Sequence, residues 1–179
     1  PEIAGTQEIE IERIHAFPNH PFKVLDDEKM DTLVDSIREN GILNPVIVRP
    51  DQSGNYEMIS GHRRLHAAKI VGLHAAVISG LQKIPAIVKE MSDDEAIIKM
   101  VDANIQREEI LPSEKAFAYK MKLDALKRTA GRPTKENACH NGTHLRSDQE
   151  LALQVGDSAR SIQRYIRLTE LIPELLDYV

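Results

Sequence analysis

Apolar positions recur along this chain with two different periods. In EIEIERI (Glu8 to Ile14) isoleucines alternate with charged residues, the period-two signature of a half-buried strand. Phe17-Pro18-Asn19-His20-Pro21 then turns the chain. From Met30 the spacing changes: Met30, Leu33, Val34 and Ile37 share one face of a helix, with Asp26 or Asp27 as its N-cap and Asn40-Gly41 as its stop. Val46-Ile47-Val48 reads as a buried strand ending at Arg49-Pro50. Residues 51–55 form a hairpin-like loop, and Tyr56 to Ile59 the next strand. A helix opens after Gly61, and Ile84 to Val88 is a further strand.

Beyond that point the period is helical throughout. Ser92-Asp93-Asp94-Glu95 is a capping box. It opens a helix whose stripe of Ile97, Met100 and Val101 is continued by a polar residue, Asn104. Leu111-Pro112-Ser113-Glu114 breaks the chain and restarts a helix to about Lys127, with Ala116, Tyr119, Leu123 and Leu126 on one face. Residues 129–147 lack any apolar period and predict a flexible loop. Then Leu151, Ala152 and Val155 lead to Gly156, and Ser158 caps a last helix with Ile162, Tyr165 and Ile166 inward. Strands mixed with helices, followed by helices alone, predict an α+β protein: a small mixed α/β domain at 1–111 and an all-α domain at 112–179.

Composition narrows the class. The chain of 179 residues has 41% hydrophobic and 28% charged residues, as in ordinary globular proteins. Aromatics are 4%, too few for binding dominated by stacking. No apolar run approaches the roughly 20 residues of a membrane helix. The chain opens on Pro1 without the n- and h-regions of a signal peptide, and is expected to be part of a longer protein. A single cysteine, Cys139, fits a reducing cytoplasm. With His140 and His144 it makes three potential zinc ligands without a fourth. The net charge of −5 is unevenly spread: residues 1–112 carry 12 basic and 19 acidic residues, residues 113–179 carry 11 and 9. A basic segment behind an acidic one suggests a part that faces nucleic acid.

Two segments carry candidate chemistry. Residues 147–168 have the grammar of a helix-turn-helix, with Arg160, Gln163, Arg164 and Arg167 on the outer face of the second helix. Arginine and glutamine read guanine and adenine edges by bidentate hydrogen bonds. Arg167 is better placed for phosphate, and Ser158 and Ser161 add contacts at the start of that helix. A solvated basic hairpin is the bland alternative, and a motif of this kind works as a dimer on a palindrome. The second segment is ISGHRRLHAAKIVG (Ile59 to Gly72). A helix N-terminus offers free N–H groups to an anion, glycine permits close approach, and Arg63 and Arg64 supply forked donors suited to phosphate.

Asn44-Pro45-Val46-Ile47-Val48-Arg49-Pro50, then ISGHRRLHAAKIVG, then Asp102-Ala103-Asn104-Ile105-Gln106-Arg107-Glu108 with Leu111 to Glu114, resemble in order the boxes of ParB-type partition proteins. The resemblance runs from about Glu8 to Leu176. It implies a ParB/sulfiredoxin-like N-terminal domain that binds CTP with Mg²⁺, and a helical domain that recognises a centromere-like palindrome, parS, in double-stranded DNA. It further implies a homodimer that closes into a nucleotide-switched clamp, slow CTP hydrolysis, a C-terminal dimerisation domain beyond Val179 and a nucleoid-associated location. A Walker-type ATPase partner would contact the segment before the first strand, of which Pro1 to Gln7 are present. Carried over by position, Ser60, Gly61, His62, Arg63 and Arg64 form the triphosphate turn. Asn44 and Arg49 lie in the first box and Asn104, Gln106 and Arg107 in the third, with Asn104 approaching the metal.

Two departures touch that implied chemistry. The family's middle box usually reads Gly-Glu-Arg-Arg, where this chain has His62, and its third box has Glu before the Asn, where this chain has Ala103. Both lost carboxylates belong to the region that would hold Mg²⁺ and orient water, so phosphate binding is expected and hydrolysis is in doubt. No catalytic residue is assigned. His62 could itself contact phosphate. Two other functions fit part of the pattern: a transcriptional regulator with a vestigial nucleotide site, and a ParB-like phosphotransfer enzyme. The latter lacks a nucleophile near the turn.

Overall fold

The computed structural model describes residues 5–74, 82–106, 110–129 and 147–171. The chain divides into two compact units, Pro1–Met91 and Ser92–Val179.

The first unit is built on a five-stranded sheet of order β1-β5-β3-β4-β2. The alternating EIEIERI segment is not one strand, as its pattern predicts. It splits into β1 (Thr6–Glu10), a single 3₁₀ turn at Ile11–Arg13 and β2 (Ile14–His15). Ile9 and Ile11 are two residues apart, but Ile14 follows Ile11 by three, so a turn is needed to bury all three. That turn carries the chain from one edge of the sheet to the other. β3 (Val46–Pro50) and β4 (Tyr56–Ser60) are antiparallel, and β5 (Lys83–Val88) runs parallel to β3 and antiparallel to β1. Asp51 shapes the β3–β4 loop by accepting from the Ser53 and Asn55 amides at 2.8 and 2.9 Å. Those bonds, led by the Ser53 hydroxyl, hold its carboxyl below the usual range.

One helix packs on the sheet, and a second packs on the first. α1 (Glu28–Asn40) is capped by Asp27, whose carboxylate accepts from the Met30 amide, and stops at Gly41. α2 (His62–His74) serves two neighbours at once. Leu65 and Ala68 pack into the sheet core with Val46, Val48, Met58 and Ile84, whereas Ala67 and Val71 meet Met30, Val34 and Ile37 of α1. Its alanines explain why one helix can approach a sheet and a second helix closely on adjacent faces.

The second unit is helical. α3 (Asp93–Asp102) opens with the predicted capping box, Ser92 and Glu95 bonding each other reciprocally. α4 (Pro112–Thr129) supplies Tyr119, Leu123 and Leu126 to a core completed by Leu151 of α5 (Ser147–Val155) and Ile162 of α6 (Ala159–Leu168). Lys122 of α4 is fully buried and pairs with Asp102 at the end of α3. A buried ammonium needs such a partner. By packing, α3 therefore goes with the helices, ahead of the boundary at 111 that the strand pattern suggested. The loop predicted at 129–147 lies outside the described residues except for Thr129 and Ser147, which end α4 and begin α5. Cys139, His140 and His144 lie outside them too. Among the described residues no helix is long and apolar enough to cross a membrane.

Candidate anion and nucleic-acid sites

Gly61 joins β4 to α2 with φ +112°. A Cβ there would stand 2.7 Å from Val46 Cγ1, so the backbone at this junction lies against β3 more closely than any other residue permits. The Gly61 carbonyl starts α2 by accepting from the Leu65 amide at 3.0 Å. The first turn of α2 contains no acidic residue. Its free N–H groups and the positive end of its dipole thus lack a carboxylate of their own. This is the cradle an anion requires, and the residues fit a phosphate.

The side chains around the turn are held from several directions. Arg63 Nη2 reaches Asp27 Oδ1 at 3.2 Å, and both groups are about a third exposed. Arg64 Nη1 donates to the carbonyls of Asn44 and Pro45 at 2.5 and 2.9 Å. Burial lowers the Arg64 pKa, though guanidinium stays charged at any relevant pH. His66 Nε2 lies 2.7 Å from Asp26 Oδ1. His62 is 7% exposed, with its ring packed on that of His20 at 3.7 Å between centroids. His20 Nδ1 is 2.8 Å from the Phe22 carbonyl, which can only accept, so that nitrogen carries its proton. The sequence pattern missed Asp26, Asp27 and His20 as neighbours of this turn. The only local signal was a Pro-flanked turn followed by two aspartates, and nothing in it specifies contact with residues some 40 positions away.

The first-box residues have different surroundings. Asn44 is exposed and lends only its carbonyl. Ser60 ends β4 and leads directly into Gly61. Arg49 donates through Nε to Glu57 Oε2 at 2.5 Å, with the two side chains 15% and 8% exposed. It also reaches the Met91 carbonyl and lies over the Phe17 ring. Arg49 and Glu57 are register partners on β3 and β4, so this pair is part of the sheet. The third box belongs to the second unit. Asn104 is 3% exposed and its Nδ2 donates to the Met100 carbonyl at 2.7 Å, satisfying the last turn of α3. Gln106 is exposed, and Arg107 lies outside the described residues.

In the second unit, Gly156 with φ +75° and Asp157 join α5 to Ser158, whose hydroxyl caps α6 by accepting from the Ser161 amide at 3.0 Å. Arg160, Gln163, Arg164 and Arg167 are all exposed on α6, while Ile162 on its other side is fully buried. The inter-helix turn is tied to α4. Asp157 pairs with Lys115 at 2.9 Å and accepts from the Tyr119 hydroxyl. Hydrogen bonds from Lys115 and then Tyr119 keep the Asp157 carboxyl below its ordinary value. Burial, followed by that bond, raises the Tyr119 phenol. An exposed row of three arginines and a glutamine is thereby presented from a fixed turn.

Residues 2–105 match the ParB N-terminal domain family. The chromosome-partitioning protein Spo0J of Thermus thermophilus is 33% identical over 174 residues, covering 97% of this chain and 54% of that protein. The nucleoid occlusion protein of Listeria monocytogenes is 33% identical over 171 residues, covering 94% and 50%. The chain thus spans about half the length of these relatives. The C-terminally truncated chromosome-partitioning protein ParB from Caulobacter crescentus, solved in complex with the centromeric parS site, shares the fold. The two align with a TM-score of 0.56 at 24% identity, over 97% of this chain and 76% of that one. The α+β architecture, the glycine-led turn into α2 and a family match over more than half of its length together make this chain a member of the ParB N-terminal domain family.

Proposed function

We propose that this chain is the nucleotide-binding and DNA-reading part of a partition protein, which recognises a parS-like palindrome and binds CTP to close a DNA clamp. In this proposal the nucleotide-binding part falls within residues 1–111 and the DNA-reading part within 112–179. The observation that carries it is the β4–α2 junction. A glycine at φ +112° pressed against Val46 opens a helix whose first turn has two arginines and no acid. Such a turn takes a polyphosphate through backbone N–H groups and guanidinium donors. Bound CTP would contribute binding energy that differs between open and closed states, which is all a ligand needs to shift the population.

The α5–α6 helix-turn-helix supports DNA recognition. Arg160, Gln163 and Arg164 would meet base edges, Arg167 the backbone, and Ser158 and Ser161 the adjacent phosphates. A palindromic target implies two copies of the chain. A Walker-type ATPase partner and a nucleoid location belong to the same proposal. Any Mg²⁺ would draw its oxygens chiefly from phosphate and water. At the α2 turn the chain presents an imidazole, His62, where a carboxylate would suit the metal. Hydrolysis is therefore expected to be slow or absent. One observation favours a second reading, a regulator with a vestigial nucleotide site: His62 is buried on His20 rather than presented at the surface.

Calorimetric titration with CTP, ATP, GTP and UTP, with and without Mg²⁺, separates the two. Selective CTP binding that is lost in Arg63→Ala, while palindromic DNA is still bound, supports the switched clamp. Failure of every nucleotide to bind, alone and with palindromic DNA present, leaves the regulator.

A further inference from the structure

Residues 20–27 are joined to the first turns of α2 by three side-chain contacts: His20 with His62, Asp27 with Arg63, and Asp26 with His66. The middle one is chemically distinct. A single oxygen, Asp27 Oδ1, accepts the Met30 amide at 2.8 Å as the N-cap of α1 and also faces Arg63 Nη2 at 3.2 Å. The cap requires an acceptor but no charge, since asparagine and serine cap helices as well as aspartate does. The negative charge of Asp27 adds to the favourable dipole at the start of α1 and also acts on Arg63. A carboxylate and a phosphate oxygen are alternative acceptors for the same guanidinium fork. Arg64 is different, because its partners are neutral carbonyls that leave its charge uncancelled.

We infer that Asp27 is an internal competitor for Arg63, a carboxylate that sets how tightly the α2 turn holds nucleotide phosphate. The inference rests on the proposal that Gly61 to Arg64 bind a polyphosphate. Asp27 and Arg63 are 37% and 30% exposed, so their pair is weak and a ligand with several negative charges displaces it. Its effect is to lower affinity without abolishing it. Removing the charge should tighten binding about two- to fivefold. The gain should shrink at high salt, which screens the pair.

The test is calorimetric titration of the chain with CTP and with inorganic tripolyphosphate, for wild type, Asp27→Asn, Asp27→Ser and Asp26→Asn. Both Asp27 variants keep an uncharged cap on α1 and are expected to bind both ligands about two- to fivefold more tightly, at little-changed melting temperature. Asp26→Asn, which removes a neighbouring charge without touching Arg63, should change affinity less. Unchanged or weaker binding in both Asp27 variants overturns the inference, because Asp27 would then be positioning Arg63 rather than competing for it. An equal gain in Asp26→Asn also overturns it, by assigning the effect to net charge. If wild type binds and the Asp27 variants gain nothing, this inference alone falls. If no protein binds either ligand, the phosphate role of the turn falls with it.

Discussion

Replacing Gly61 by alanine measures how far the geometry of the α2 turn depends on one residue. Two costs can be worked from the structure. At φ +112° an L-residue sits in a sparsely populated region, a strain of about 1–3 kcal/mol. The new Cβ would also lie 2.7 Å from Val46 Cγ1 and 3.1 Å from Val46 Cβ. Val46 is fully buried in the sheet core, and its branched side chain is stiff at χ1. Forcing a methyl into such a site costs about 1–3 kcal/mol more. A total of about 2–6 kcal/mol is a large share of the roughly 5–15 kcal/mol that holds typical domains together. Native-state amide exchange in β3 and β4 reads the stability of this unit separately from that of the helical one. Combining Gly61→Ala with Val46→Ala should remove the 2.7 Å clash with Cγ1 but not the 3.1 Å approach to Cβ or the backbone strain. The double variant should then be more stable than the sum of the singles by at least about 1 kcal/mol. A cost below about 1 kcal/mol for Gly61→Ala, or strict additivity with Val46→Ala, would refute the close-approach account.

Other consequences follow from the helical unit. Asp157→Asn should destabilise it by about 1–2 kcal/mol in urea denaturation, since it weakens the bonds from Tyr119 and Lys115 at a partly exposed site. The pH dependence has a definite sign. Because the folded Asp157 pKa lies below its ordinary 3.8, the contribution is present above that value and is lost as pH falls through the lower folded pKa. Asp157→Asn should therefore flatten the acid limb of the stability curve, and an unchanged limb would exclude this group as its source. In anisotropy titrations against duplex DNA, Arg160→Ala should relax sequence preference at a cost of about 1–3 kcal/mol. Arg167→Ala should weaken binding to all sequences and reduce the salt slope by about 1. Identical effects of the two on specificity would end the division between base and phosphate contacts.

What the sequence made legible is what it encodes locally. α1 carries its cap at Asp27, its apolar face and its stop at Gly41 within a single stretch, and all three are as expected. The capping box at Ser92 and the turn at Gly156 are local in the same sense. The split of EIEIERI into two edge strands was not, because it depends on β5 and β4 waiting at opposite edges of the sheet. Asn104 lies between the two cases. A polar residue on an apolar stripe invites a functional role. Its amide nitrogen closes the last turn of α3 on Met100, a bond between residues four apart that the position near a helix end already suggested.

The candidate arginines, Arg49 on β3 and Arg63 and Arg64 at the turn, were hardest to rank, because sequence alone gives all three the same guanidinium chemistry. Their partners separate them. Arg49 faces a nearly buried glutamate on the adjacent strand, so pulling it away would strand Glu57 in a site where an unpaired charge is costly. That makes Arg49 chiefly part of the scaffold on which the turn is mounted. Arg64 is partly buried and held by two carbonyls, which orient the guanidinium without neutralising it. It supplies a standing positive potential beside the α2 N-terminus whether or not an anion is present. Arg63 alone sits on a carboxylate at the protein surface, where exchanging one anion for another costs little. Electrostatic response at this turn is thus concentrated in Arg63. Its replacement should alter how binding varies with salt, whereas replacement of Arg64 should lower affinity at every salt concentration.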